Sequence, residues 1–236
     1  MTLTVIENDN RNIKNLPWYE SPCYEENYLI GGFLDCIKAN GFPRIKSGRN
    51  AVAITEFGSC GSGIADLLIA PKIPRLPNAP DEIVEIVATS PAAAKVFAAL
   101  VQGVEFDPER VALNTGISLK RTKMLVRKFK EVLGSKRAVF PHVELWAFEA
   151  KVSDWGAGIT QAFNYFDFSN RSTLVLPKSA GPLVEAHLPI FRLLGLGLWL
   201  FDEIELEIET ILWPKKREPR YLGEYYRTLA YIFLNA

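Results

Sequence analysis

Val143-Glu144-Leu145-Trp146-Ala147-Phe148-Glu149-Ala150-Lys151-Val152 is the stretch on which the reading of the fold turns. Nearly every position is apolar, the pattern of a strand buried on both faces. Glu149 and Lys151 stand near its end. Strand side chains alternate between faces, so the two project on one side, about 6 to 7 Å apart along the chain. A carboxylate beside an ammonium in a buried strand is costly unless something uses them. Three readings are open: a buried ion pair, a strand end that has reached solvent, or part of a functional site.

Upstream, Tyr24 to Asn40 carries Ile30, Phe33, Leu34 and Ile37 on one face and is followed by Gly41, which predicts a helix. Glu26 lies on or near that face. It belongs either to an exposed first turn, where an acid suits the helix dipole, or to a site it points into. Ala51 to Phe57 and Ile64 to Ala70 read as strands joined by Gly58-Ser59-Cys60-Gly61-Ser62-Gly63. That turn lacks the Lys-Ser/Thr ending of a phosphate-binding loop and leads into a strand, so a hairpin connection is expected. Asp66 is a lone carboxylate inside a buried-strand pattern, where Asp is disfavoured. Residues 1–20, rich in Asn, read as a loosely ordered lead.

Between the two acid-bearing strands the pattern changes. Pro71, Pro74, Pro77 and Pro80 form a spacer, and residues 81–138 read as a small all-α unit. Pro91 to Leu100 predicts one helix. Asp107 caps a second, with Pro108 in its first turn, and Gly116 turns the chain into a third that Ser118 caps. In the third, Leu125, Val126, Phe129, Val132 and Leu133 make an apolar stripe, and Lys120, Arg121, Lys123, Arg127, Lys128 and Lys130 cover the rest. The chain is neutral over its 236 residues, yet residues 118–137 carry a net charge of +7. A solvated helix face normally mixes signs, so this one points to an acidic partner. Helix, glycine turn and basic helix is the helix-turn-helix arrangement, whose second helix enters the major groove of duplex DNA.

Downstream, Trp155 to Phe168 and Pro182 to Leu194 read as helices, and Ser172–Pro177, Gly195–Phe201 and Ile204–Leu212 as strands. Tyr225 to Leu234 reads as a closing helix. The cluster at 215–220 is either a second phosphate contact or a charged loop. Three scattered cysteines and two histidines give no zinc or iron–sulfur spacing and suit a reducing, cytoplasmic setting. The most apolar window, Leu183 to Phe201, is broken by Glu185, His187, Pro189 and Arg192, so no membrane span is expected. The expected fold is α/β, with a sheet core at 20–75 and 139–236 and an inserted helix-turn-helix subdomain at 76–138.

Asp66 followed by Glu149-Ala150-Lys151 resembles the Asp…(Asp/Glu)-x-Lys signature of the PD-(D/E)XK nuclease superfamily. Gln161-Ala162-Phe163-Asn164-Tyr165 is similar to the Gln-x-x-x-Tyr motif of its RecB-type branch. Ala65 stands where that family often has Pro, and the helical insertion makes the gap from Asp66 to Glu149 unusually long. The resemblance covers roughly residues 24–70 and 139–215. It implies a restriction-endonuclease-like mixed sheet flanked by helices. It also implies that Asp66, Glu149 and the Ala150 carbonyl bind Mg²⁺, with Mn²⁺ as a substitute. Lys151 would position the attacking water, Gln161 would orient the site, Glu26 would add an acid, and Tyr165 is a weaker candidate for the site wall.

The function that follows is a metal-dependent endodeoxyribonuclease gripping double-stranded DNA through the inserted unit. The alternative is a non-catalytic DNA-binding regulator on a decayed nuclease scaffold. RNA is a poorer substrate for this arrangement, because its duplex major groove does not admit a helix easily. A homodimer, or partner proteins of a defence or mobile-element system, would suit such a fusion.

Overall fold

The structure is a computed structural model that describes residues 3–7, 24–43, 51–59, 63–73, 79–133 and 140–235. The expected features at Pro17, Cys23, Cys60, Pro74, Pro77, Lys136 and Arg137 lie outside those residues. Two compact units divide the chain, one from residues 1–73 and 144–218, the other from 74–143 and 219–236.

The first unit is built on a seven-stranded mixed sheet whose strands lie side by side in sequence order. These are β1 (Leu3–Glu7), β2 (Ala51–Ser59), β3 (Gly63–Ala70), β4 (Trp146–Ala150), β5 (Arg171–Pro177), β6 (Gly197–Asp202) and β7 (Glu207–Leu212). β2, β3 and β4 pair antiparallel, as do β6 and β7, whereas β1 with β2 and β4 with β5 and β6 pair parallel. The β2–β3 hairpin is the expected one. Parallel neighbours need a crossover. Helix α1 (Tyr24–Asn40) precedes β2 and covers one face, packing Leu29, Phe33 and Ile37 on Phe148, Trp199 and Phe201. Across the sheet, Ala162 and Phe166 pack with Leu174, Leu198 and Leu200.

Several boundaries differ from the sequence reading. Leu3–Glu7, read as part of a loose lead, is a strand paired with Ala51–Thr55. The opening stretch contributes only five residues to the sheet. Before them, Val143 N–H donates to the Tyr225 hydroxyl and Leu145 N–H to the Asn170 side-chain carbonyl, so side chains replace the ladder. The helix expected from Trp155 to Phe168 is α-helical to Asn164 and then tightens into a 3₁₀ turn, Tyr165–Asp167. The helix expected from Pro182 to Leu194 is three short pieces, Gly181–Val184, a 3₁₀ turn Glu185–His187, and Leu188–Leu194. Pro189, which has no N–H to continue the ladder, sits in the first turn of the last piece.

The second unit is all-helical: α2 (Asp81–Thr89), α3 (Pro91–Val101), α4 (Pro108–Thr115) and α5 (Leu119–Leu133), joined by the C-terminal helix Leu222–Asn235. α2 is not among the helices that the sequence pattern predicts. Asp107 accepts from Glu109 N–H as the cap of α4, and Gly116 closes that helix in the left-handed region, φ 69°. The core holds Ile83, Val87, Phe97, Val111 and Phe129. The expectation that 139–236 continues the sheet core is corrected at both ends. Residues 140–143 and 219–235 belong with the helices, Leu222–Asn235 packing on α2 and α3. Gly223 allows that approach, since a Cβ there would lie 3.1 Å from the Lys95 Cα.

In chain order the remaining helices are α6 (Trp155–Asn164), α7 (Gly181–Val184), α8 (Leu188–Leu194) and α9 (Leu222–Asn235). No helix among the described residues is long and apolar enough to cross a membrane.

Candidate active site

Leu67 and Leu68 of β3 pair with Phe148 and Ala147 of β4. Continued by one residue, this register sets Asp66 directly opposite Glu149, on the face away from α1. On the other side of β3, Thr55 pairs with Leu67 and Phe57 with Ala65, which sets Glu56 opposite Asp66. Asp66 therefore has an acid near it on each flanking strand. Like charges facing each other on adjacent strands are destabilising. Glu56 also takes a positive φ of 49°, an uncommon conformation for a residue with a side chain.

Glu149 is buried, with 1 % of its surface exposed. Burial, reinforced by the charge of Asp66, pushes its carboxyl up to about 8. Asp66 is raised to about 6, by burial above all, although the Ala150 N–H donated to its Oδ2 at 2.7 Å and the Lys151 charge oppose this. The charges of Glu26 and Glu56 add to the rise at Asp66.

Lys151 is the cation of this group. Its Nζ lies 3.0 Å from Glu149 Oε1 and 3.3 Å from Glu26 Oε1. Burial works against its charge, but Glu149, Glu26 and Asp66 outweigh burial, and its pKa is raised. The ammonium is therefore held protonated and acts as a donor. Glu26, in the first turn of α1, is aimed inward with a side chain only 14 % exposed.

α6 supplies the wall. Gly158 faces the Lys151 stem so closely that a Cβ would stand 2.7 Å from Lys151 Cγ and 2.7 Å from Leu174 Cδ1. Tyr165, fully buried, brings its hydroxyl to the Glu149 carboxylate and to the Ile64 carbonyl, the latter at 2.6 Å. Tyr165 is thus a direct neighbour of the acids, a closer role than the site wall expected of it. Gln161 is the reverse. It lies three residues beyond Gly158 and four before Tyr165, on the same stripe of α6, but is exposed and makes no side-chain hydrogen bond among the described residues. The orienting role expected of it is not made by any contact here.

Glu56 is the acid that sequence reasoning missed. Its signal was present: a lone carboxylate in the apolar run Ala51–Phe57, the same anomaly that singled out Asp66.

Among the described residues, no group of three or more His, Cys, Asp or Glu side chains is gathered as a metal cluster. What the site offers is two opposed carboxylates and one main-chain oxygen. The N–H and C=O of an extended residue point the same way, so the Ala150 carbonyl shares the side on which its N–H meets Asp66. These are hard oxygen donors, with an excess of negative charge that a divalent cation relieves. The donor set fits Mg²⁺ or Mn²⁺, not a thiolate- or imidazole-seeking metal.

In the helical unit, α4, the Gly116 turn and α5 form a consecutive helix pair. Lys120, Arg121, Lys123, Arg127, Lys128 and Lys130 are all exposed on α5. Two of them are engaged: Arg127 with Glu131 at 2.7 Å and Lys128 with Glu82 at 3.3 Å. Lys120, Arg121, Lys123 and Lys130 have no acidic partner among the described residues. The exposed Met124 stands among them. Of the basic segment at 215–220, the part in the first unit is tied down, Lys216 to Glu144 at 3.2 Å and Arg217 over the Phe166 ring.

Comparison of the chain with protein-family models, with curated proteins and with solved structures gives no match.

Proposed function

We propose that the chain is a metal-dependent endodeoxyribonuclease of the PD-(D/E)XK type, with a restriction-endonuclease-like sheet and a helix-turn-helix that binds duplex DNA. The observation that carries the reading is the convergence of Asp66, Glu149, Lys151 and Glu26, which come from separate parts of the chain. A structural ion pair would need only one acid for one lysine. Here the acids outnumber the lysine and two of them are held well above their ordinary pKa, which suits a site that receives cationic charge.

Asp66, Glu149 and the Ala150 carbonyl would hold the ion, Mg²⁺ with Mn²⁺ as substitute. Bound there, it would supply neutralisation of the phosphate and a more acidic water. The chain's own contribution centres on Lys151. Its ammonium, fixed between Glu149 and Glu26, donates hydrogen bonds to the attacking water or a phosphate oxygen. Remaining charged, it orients and stabilises and does not remove a proton. Tyr165 and Gly158 fix Glu149 and Lys151 from the α6 side. Lys120, Arg121 and Lys123, at the start of α5, are free to meet phosphates or the base edges of the major groove.

The test is cleavage of plasmid and linear duplex DNA with Mg²⁺ or Mn²⁺, against EDTA. Asp66→Ala and Lys151→Ala are each expected to lower the rate by at least about 100-fold, the scale on which lost electrostatic stabilisation acts. DNA binding without cleavage in the wild type would favour the regulator reading. Equal cleavage by wild type and both variants would remove the site assignment. Replacing Lys120, Arg121 and Lys123 by Ala should weaken duplex binding and reduce the salt slope by about one for every phosphate no longer neutralised.

A further inference from the structure

β7 ends the sheet order, and among the described residues no strand pairs with its outer edge. Beside it, between β6–β7 and the α7–α8 layer, lies a groove of about 310 Å³. Leu188, Leu198, Leu200 and Ile211 make it largely apolar, and Glu185 and Glu209 add carboxylates. Period-two alternation puts Glu207 and Glu209 on one face of β7, and Ile211, at the register irregularity facing Leu198 and Trp199, lines the same groove as Glu209. The exposed Lys178 sits at the groove and pairs with Asp202 at 2.8 Å. One lysine against Asp202, Glu185, Glu207 and Glu209 leaves this edge acidic.

Acids on an edge strand discourage pairing with another copy of the same strand, because Glu would face Glu. They do not discourage a basic strand. Opposite charges and apolar contacts across neighbouring strands are stabilising, and an extended segment added to a sheet edge gains main-chain hydrogen bonds while its alternate side chains enter pockets. We infer that this edge takes an extended segment of a partner protein as an eighth strand, with Lys or Arg opposite Glu207 and Glu209 and an aliphatic side chain opposite Ile211, seated in the groove. The inference does not rest on the nuclease reading and involves none of the residues around Asp66.

The probe is a ten-residue synthetic peptide with a Lys-Thr-Lys-Thr-Leu core, in both chain directions, against the same peptides with Glu for Lys. Binding is followed by amide chemical shifts and hydrogen exchange of the full chain. One Lys peptide is expected to protect amides within 207–212, and to bind at least about tenfold more weakly to a Glu207→Gln/Glu209→Gln variant, a loss of about 1.4 kcal/mol. These isosteric changes keep the strand's shape, and an unaltered urea midpoint and far-ultraviolet spectrum would report an intact fold. Protection at 207–212 by neither Lys peptide, equal binding of the Glu peptides, or undiminished binding by the double variant would each overturn the inference.

Discussion

Asp66 and Glu149 set how the protein responds to pH. In the folded chain they stand at about 6 and about 8, against ordinary values of 3.8 and 4.5. A raised carboxyl means that the native state holds a proton the unfolded chain has already lost. The stabilisation is full below about pH 4 and is lost as pH rises through 6 and then 8. The metal-free protein should therefore show a urea midpoint that falls between pH 5 and pH 8. An Asp66→Asn/Glu149→Gln variant should lose that part of the fall, and Mg²⁺ should raise the wild-type midpoint at pH 8 more than at pH 5. A midpoint difference between wild type and variant that does not change with pH would contradict the assignment. Asp66, Glu149 and Lys151 could be read from sequence because each interrupts an apolar strand with a charge. Tyr165 could not be ranked correctly, since an aromatic at helical spacing looks like core. Its partner Ile64 lies 101 residues away, a separation that local pattern does not report.

α6 is an element whose closeness to the sheet depends on one missing methyl. Gly158→Ala would place a carbon 2.7 Å from both Lys151 Cγ and Leu174 Cδ1. Overpacking of this kind costs about 1–3 kcal/mol, and the stem of Lys151 is what must move. Cleavage should fall in Gly158→Ala, and the loss should exceed what its lowered urea midpoint explains. Gly156→Ala, whose nearest neighbour is Asp154 Oδ1 at 3.8 Å, should leave rate and midpoint near wild type. Equal effects at the two positions would show that α6 does not seat the lysine. At this scale the chain was most legible where caps and periodicity agree. Tyr24–Asn40 and the Asp107-Pro108 start of α4 match the sequence expectation. β1 was hidden because it spans only five residues, of which Leu3, Val5 and Ile6 alone are apolar, and is followed at once by polar ones. α2 was hidden by the prolines around it.

At the scale of the whole chain, the two units are not consecutive segments. The helical unit takes residues from the middle and from 219 onward. Leu229, fully buried on α9, lies on the helix that packs against α2 and α3. Leu229→Ala should cost about 2–5 kcal/mol and lower hydrogen-exchange protection in 81–101, although these residues are far from it in sequence. A drop in protection confined to 222–235 would mean that α9 is an independent appendage. This pairing was beyond the sequence reading, because an amphipathic C-terminal helix does not announce which unit its apolar face will meet. The charge segregation was legible, since a net +7 in residues 118–137 needs no structure to be counted.

The return of the chain at 219 also orders events during synthesis. All seven strands, and with them Glu26, Glu56, Asp66, Glu149 and Lys151, are made before the first residue of Leu222–Asn235. A nascent chain reaching residue 218 holds every residue of the sheet unit, while α2 and α3 still lack the helix that covers them. Until α9 is made, the apolar surface of α2 and α3 that it covers is open to the misassociation that exposed apolar surface invites. The helical unit, although its first helices are translated long before β4, cannot close until Leu222–Asn235 has been made.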